Sequence, residues 1–269
     1  MCHVLGVSRS GYYDWLSSPG ARRAKENHDL LGQIEEIYSE SKGCYGSPKI
    51  TVELKKRGYY CGHNRVARIM RENGIKSIVV KKFRRKGQVI EIEESASNVL
   101  GRRFTWESPN QAWATDITYI PTQSGWVYLC VILDLCSRAI VGWSVSEDMR
   151  TELVMHALKS ACQNRRPKKG LILHSDQGVQ FGSTTFRQYL KDHGFVQSMS
   201  RRGNCWDNAC VESFFRLLKI EELNGYSFKN IDQVRYKVFG YIEHFYNRNR
   251  IHSHLGYMTP IEYEQALIA

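Results

Sequence analysis

None of the eight cysteines, at positions 2, 44, 61, 130, 136, 162, 205 and 210, forms a CxxC pair. That spacing gives no support to a zinc ribbon or a thioredoxin-like redox site, and reduced thiols packed as small apolar groups are expected. The chain also lacks any apolar stretch near the roughly 18 residues of a membrane span. Its start has no basic segment followed by an apolar one and a small-residue cleavage site, so a cytoplasmic protein with no membrane partner is expected. Repeats and low-complexity segments are missing too. Acidic side chains are in the minority: 27 Asp and Glu stand against 38 Lys and Arg, for a net charge of +11 and a pI near 9.3. Such a balance favours a polyanionic partner, with nucleic acid ahead of a membrane surface, and 12% aromatic residues supply faces on which bases or sugars can stack. With 269 residues, 42% of them hydrophobic, the chain can build a real core in one large or two modest domains.

The positive charge is concentrated early. Residues 1–110 carry 20 basic and 12 acidic side chains, and residues 111–269 carry 18 and 15. Residues 1–25 read as a short helical segment entered at Ser8 and stopped by Pro19, and expected to continue from something longer. Residues 26–80 show three helical patterns. Leu30, Leu31, Ile34 and Ile37 give the first an apolar face. Pro48 opens the second, which carries Ile50 and Leu54, and Asn64 is placed to cap the third, with Val66, Ile69 and Met70. Gly58 and Gly74 close the second and third. With Lys49, Arg65 and Arg68 on the polar faces, this is the pattern of a helix-turn-helix-like DNA-binding module, or else of a small solvated bundle. Residues 81–107 form a basic linker in which Lys81, Lys82, Arg84 and Arg85 could track phosphates or simply be solvated.

From 108 to 225 the pattern changes. Three successive strands (111–120, 126–135 and 138–146) precede a helix from Thr151, a short strand at 170–173, a helix near 183–193, a strand near 195–199 and a helix from about Asp207 to Ile220. A meander followed by alternating helices and strands is the order of a ribonuclease H-like α/β fold, with a mixed five-stranded sheet. Residues 226–269 read as a C-terminal extension: one helix from about Ser227 to Tyr246, then a polar tail.

Three acids within the central region stand at places where rigid elements can aim them. Asp116 lies in the alternating strand Trp113-Ala-Thr-Asp-Ile-Thr-Tyr119, on one face with Ala112, Ala114, Thr118 and Ile120. Asp176 follows the short strand and precedes Gln177 and Gly178. Glu212 follows after 35 intervening residues, near the start of a helix for which Asp207 is a candidate N-cap. Each alone has an ordinary reading, as a strand hydrogen-bonder, a turn former or an exposed helical acid. Together they supply the oxygen ligands that two hard divalent cations need. Asn208, Glu212, Arg216 and Lys219 share one helix face, as they would if phosphates passed over it; an ordinary Glu–Arg pair is the alternative. Asp134 is expected to shape the turn between the second and third strands with Ser137 or Arg138. His174 could orient a phosphate or pack, and Trp206 could stack on a base or fill the core.

At these residues the chain resembles the IS3 family of bacterial insertion-sequence transposases, particularly their longer-frame catalytic subunit, and more distantly the retroviral integrase core. The likeness runs through Tyr45-Gly-Ser-Pro-Lys-Ile50, Trp113 to Tyr119, Leu133-Asp-Leu-Cys-Ser-Arg138, His174-Ser-Asp-Gln-Gly-Val-Gln-Phe181, Asp207 to Lys219 and Tyr246-Asn-Arg-Asn-Arg-Ile-His252. The zinc-binding HHCC module of retroviral integrases is absent. The resemblance implies a DDE triad of Asp116, Asp176 and Glu212, with Lys219 matching the basic residue seven positions after the Glu. It also implies two Mg²⁺ ions, for which Mn²⁺ can substitute, and cleavage and joining at terminal inverted repeats with integration into target DNA. A homo-oligomer on DNA, nucleoid association, and an upstream-frame subunit or fusion bearing a helix-turn-helix and leucine zipper are further expectations. A ribonuclease H-like nuclease, a DNA-binding regulator with an inactive core and a structural assembly factor are the competing readings.

Overall fold

The computed structural model describes every residue except 1, 3, 18, 19, 81–95, 202–204 and 269. Pro19 and the linker residues Lys81, Lys82, Arg84 and Arg85 therefore lie outside the described residues. The chain divides into two compact units, Met1–Lys81 and Lys82–Ala269.

In the first unit α1 (Arg9–Ser17) starts where Ser8 Oγ accepts a hydrogen bond from Gly11 N at 2.9 Å. The unit continues with α2 (Gly20–Glu40), α3 (Ser47–Lys56) and α4 (His63–Glu72). Leu30, Ile34 and Ile37 of α2, Ile50 and Leu54 of α3, and Val66, Ile69 and Met70 of α4 are buried, so the apolar faces read from periodicity form the core. Pro48 stands in the first turn of α3. Gly58 and Gly74, at φ +85° and +70°, take the left-handed conformation that ends α3 and α4. Two expectations are corrected. The first helix starts at Gly20, earlier than its apolar pattern. The N-cap of α4 is Gly62, which places Asn64 inside the helix and not at its cap.

The second unit is built on a mixed five-stranded sheet in the order β3-β2-β1-β4-β5. β1 (Ala112–Thr122), β2 (Gly125–Asp134) and β3 (Ile140–Ser146) form an antiparallel meander, and β4 (Ile172–Ser175) and β5 (Val196–Met199) add in parallel. This is the ribonuclease H-like arrangement. Asp134 makes the β2–β3 turn. Its Oδ1 accepts from Cys136 N and Ser137 N, and its Oδ2 from Asn110 N and Trp113 Nε1. Burial pushes this carboxyl's pKa up, and the backbone hydrogen bonds oppose the rise. Asp134→Asn turns an amide NH₂ toward N–H donors, so a loss of about 2 kcal/mol or more is expected in denaturant unfolding.

α5 (Thr151–Arg165) and α7 (Thr184–His193) cover one sheet face, burying Trp113, Ile132, Val141, Leu158, Leu173 and Phe186. Gly142 permits the close approach: a Cβ there would stand 2.5 Å from Ala157 O and 2.7 Å from Ala161 Cβ. α7 is capped by Ser183 Oγ, which accepts from Phe186 N, and is closed by Gly194 at φ +69°. α6 (Val179–Gly182) is a single turn. β4 lies two residues later than its apolar run suggested, because pairing with β1 and β5 on both sides sets its limits.

α8 (Ala209–Leu218) packs against β1 and β2 and passes into a π-helical turn, Lys219–Leu223. α9 (Ile231–Phe239) runs into a second π-helical turn, Gly240–Tyr246, so the expected single helix changes winding at Gly240. The residues read as a polar tail are part of the folded unit. The Asn247 side-chain amide bonds both Ile140 N and Ile140 O at 3.0 Å, pairing the edge of β3 as a further strand would. Ser137 Oγ donates to Glu264 of α10 (Pro260–Ile268). Arg250 reaches Glu221 through two bonds, Nε to Oε2 at 2.8 Å and Nη2 to Oε1 at 2.7 Å, while Tyr241 OH donates to the same Oε2. Part of the expected linker also packs: Leu100 is buried and its N–H donates to Ser198 Oγ.

Candidate active site

Asp116 and Asp176 are brought together by sheet register. Parallel pairing aligns Ala112 with Ile172 and Ala114 with His174 and ends there; Asp116 is two residues further along β1, and Asp176 is the first residue past the end of β4. Asp116 projects from the face of β1 that carries Ala112 and Ala114, and Asp176 follows the end of the neighbouring strand. Both charges also reach one buried thiol. Cys130 is pushed up to about 12, first by desolvation, with the Asp116 and Asp176 charges both adding to the rise. Asp116 is half-buried and its Oδ1 accepts from Ile117 N at 2.8 Å. Asp176 is an exposed residue whose carboxyl is nonetheless crowded: desolvation raises its pKa, against a 2.9 Å hydrogen bond from Gly178 N.

Glu212 comes from α8, whose start is fastened beside Asp116. Asn208 Nδ2 donates to Thr115 O at 3.1 Å, and Glu212 lies one turn later on the same helix face, half-buried. The face then opens to Arg216, which is exposed, and to Lys219, whose Nζ lies 5.0 Å from the centre of the Tyr119 ring.

Two residues expected to meet DNA are core residues. His174 is fully buried, with Nδ1 2.9 Å from Ser198 Oγ and Nε2 3.1 Å from Ser200 Oγ. Desolvation lowers its pKa to about 4, so it is neutral at pH 7 and offers a phosphate no charge. Asn208 is 4% exposed, and its buried Oδ1 has no hydrogen-bond partner while its Nδ2 holds β1. Its sequence position on the Glu212 face is as expected, but the helix start is covered. In the first unit Arg65 Nε donates to Asn27 at 2.9 Å, tying α4 to α2, and Lys49 lies over the Tyr45 ring at 4.9 Å. Arg68 is exposed, 3.9 Å from Glu72.

The N-cap role expected of Asp207 is also corrected: Asn208 occupies that position. Asp207 is instead a buried anchor, accepting from Arg201, Arg102 and Asn98. Hydrogen bonds from Arg201, then from Arg102, hold its carboxyl well below the usual carboxylate range. A depressed pKa stabilises the fold above the ordinary value of 3.8, and that contribution is lost as pH falls through the folded value. Asp207→Asn should therefore lower Tm at pH 7, with the gap to the parent chain narrowing below pH 3.8 in thermal melts across pH. Sequence reading missed Arg102 as a partner because nothing local links positions 105 residues apart, and it also missed Arg201, only six residues before Asp207. The side chain of Trp206 lies outside the described residues.

Among the described residues no three His, Cys, Asp or Glu side chains gather into a preformed metal nest. Mg²⁺ keeps several waters and takes only one or two carboxylates plus substrate phosphates, so paired acids meet its requirement. The oxygen-only donor set fits it.

Three family models match parts of the chain. Residues 107–205 match an integrase core domain family, 193–260 match a second family of the same description, and 25–83 match an HTH-like domain family. The uncharacterized 31 kDa protein of insertion element IS600 from Shigella sonnei is 38% identical over 265 residues, covering 98% of this chain and 97% of that protein. Transposase InsF for insertion sequence IS3A from Escherichia coli strain K12 is 38% identical over 271 aligned positions, covering 100% of this chain and 94% of that protein. The HTLV-2 integrase catalytic core domain, solved in complex with magnesium, is 17% identical with a TM-score of 0.45, covering 58% of this chain and 97% of that one. Identity of this extent to transposase InsF, from end to end of the chain, means that it belongs to the IS3 family of insertion-sequence transposases.

Proposed function

We propose that the chain is a DNA transposase of polynucleotidyl transferase type, in which Asp116, Asp176 and Glu212 are the catalytic, metal-holding acids. The supporting observation is the parallel pairing of β1 with β4, which sets Asp116 two residues past the last pair and Asp176 just past the end of β4, with the Glu212 helix fastened to the adjacent Thr115 carbonyl. Two Mg²⁺ ions, when bound, supply Lewis-acid polarisation of the phosphodiester and lower the pKa of the attacking hydroxyl. The three carboxylates would hold them from a strand, a strand end and a helix, rigid elements that fix where each acid stands. The attacking oxygen, from water or a DNA 3′-hydroxyl, forms a bond to phosphorus as the leaving 3′-oxygen departs. One phosphodiester bond forms for each one broken during joining, so no external energy source is needed.

Its DNA partners are the terminal inverted repeats and target DNA. The basic helical module supplies grip on the repeat, with Arg68 the exposed member of the expected contacts, and Arg216 and Lys219 hold phosphates beside the acids. A homo-oligomer assembled on DNA, an upstream-frame partner and association with the nucleoid complete the reading.

Lys219 separates positioning from proton transfer. Seven residues place it about 10 Å along the helix from Glu212, near the acids but clear of the reacting oxygen. Lys219→Arg should keep appreciable activity, and Lys219→Ala should weaken end binding and joining together, more as salt rises. Turnover lost alone, with a basic limb missing from the pH profile, would make Lys219 a general acid. The reading as a whole is tested by supplying a pre-cleaved inverted-repeat end with a free 3′-hydroxyl and a plasmid. A transposase yields covalently joined strands; a nuclease yields nicks alone.

A further inference from the structure

Tyr119 and Trp126 are both exposed, at 59% and 53%, and touch edge to face with ring centres 5.2 Å apart and planes at 88°. Their place follows from strand register. Tyr119 pairs with Tyr128 and Pro121 with Trp126, which makes the two rings diagonal neighbours on one face of the β1–β2 ribbon. Tyr119 is three residues beyond Asp116, about 10 Å along the strand and on the other sheet face by alternation, so its link to the acids runs through Lys219 at the end of the Glu212 helix. The Lys219 ammonium lies over its ring. Along the β4 side of β1, strand pairing ends at Ala114 and resumes, among the described residues, only at the Thr122–Phe228 bridge.

A single exposed aromatic residue needs no explanation. Two in contact, linked through a cation to the helix that carries a catalytic acid, make a surface with definite chemistry: an open π face next to a positive charge. A nucleotide presents the matching pair, a flat base and a phosphate. Paired bases are stacked within the duplex, whereas an unpaired base at a DNA end has its faces free. We propose that Trp126 stacks on an unpaired base at the DNA end being joined, with Tyr119 as the positioning residue that holds the Trp126 ring and the Lys219 ammonium at one nucleotide spacing. The inference rests on the transposase reading and adds to it a preference for ends with unpaired nucleotides.

The test uses the full chain and inverted-repeat duplexes with blunt ends or with unpaired terminal nucleotides, the fluorescent base 2-aminopurine being placed at a paired or an unpaired position. With the parent chain, the unpaired probe should be quenched on binding and the paired one left unchanged. Trp126→Leu should abolish that quenching and weaken binding of the unpaired end about tenfold, the scale of one base–aromatic stack, while blunt-end affinity stays within about twofold. Tyr119→Phe, which keeps the ring, should behave as the parent; Tyr119→Leu should follow Trp126→Leu. Both positions are exposed, so circular dichroism should show intact folds. Unchanged quenching in Trp126→Leu would overturn the proposal. So would an equal loss on blunt and unpaired ends, or a loss of self-association without DNA, which would mark the rings as a contact between copies. Failure of the parent chain to bind any inverted-repeat end would instead overturn the transposase reading, and this proposal with it.

Discussion

Asp116→Asn, Asp176→Asn and Glu212→Gln should each lower Mg²⁺-dependent cleavage and joining on the order of 10²–10³-fold or more, with inverted-repeat binding held within a few-fold. Each swap removes a charge and one of the oxygens proposed to hold metal, with little change of volume. The elements carrying these acids do not depend on those charges for their fold. β1 is held along its length by β2, β4 ends in parallel pairs on both sides, and α8 is seated by Val211, Phe214, Phe215 and Leu218. Binding energy comes instead from basic side chains and phosphates. Activity retained by any purified, folded single variant would remove that residue from the catalytic set.

Arg250→Ala should be the most destabilising substitution away from the acids, at about 3–5 kcal/mol. The Arg250 and Glu221 side chains are 6% and 0% exposed, joined by two bonds, with Tyr241 donating to the same carboxylate. Burial alone would lower the Arg250 pKa, yet the Glu221 bond and charge raise it above the ordinary value. Removing the guanidinium strands a buried carboxylate. At about 2–4 °C per kcal/mol for a unit of this size, Tm should fall by roughly 10 °C. Replacing both partners, as Arg250→Met with Glu221→Leu, should cost less than Arg250→Ala alone, because neither buried charge is then left unpaired. A double variant less stable than the single one would contradict this account of the pair.

Local pattern carried the parts of the molecule whose causes are local. Alternation along residues 112–120 set the Asp116 face, Ser183 and Gly194 bounded α7, and the apolar stripes of α2, α3 and α4 became a core. The Asp134 turn was readable because its acceptors meet nearby Cys136 and Ser137. What escaped was determined at long range. Asn247 finishing the β3 edge, Arg250 buried on Glu221, and Asp207 gathering Arg102 and Asn98 all depend on chain segments that only the fold brings together. The same holds for His174 and Asn208. Polar side chains beside catalytic acids read as surface residues, yet both are satisfied or held within the sheet and helix that set the site. The π-helical turns had no sequence signal: Lys219–Leu223 and Gly240–Tyr246 are wound so that Glu221 meets Arg250 and Tyr241.

The central claim is that acids of this chain hold divalent ions against the phosphate being exchanged. It is tested most directly by placing a single sulfur at a non-bridging position of that phosphate and measuring joining in Mg²⁺ and in Mn²⁺. Sulfur is a soft ligand that hard Mg²⁺ accepts poorly and Mn²⁺ tolerates better. The account predicts that one sulfur stereoisomer slows joining strongly in Mg²⁺ and recovers in Mn²⁺, while the unmodified end is joined in either. Equal rates for sulfur and oxygen in both metals, or joining that persists with all divalent ions chelated, would contradict it.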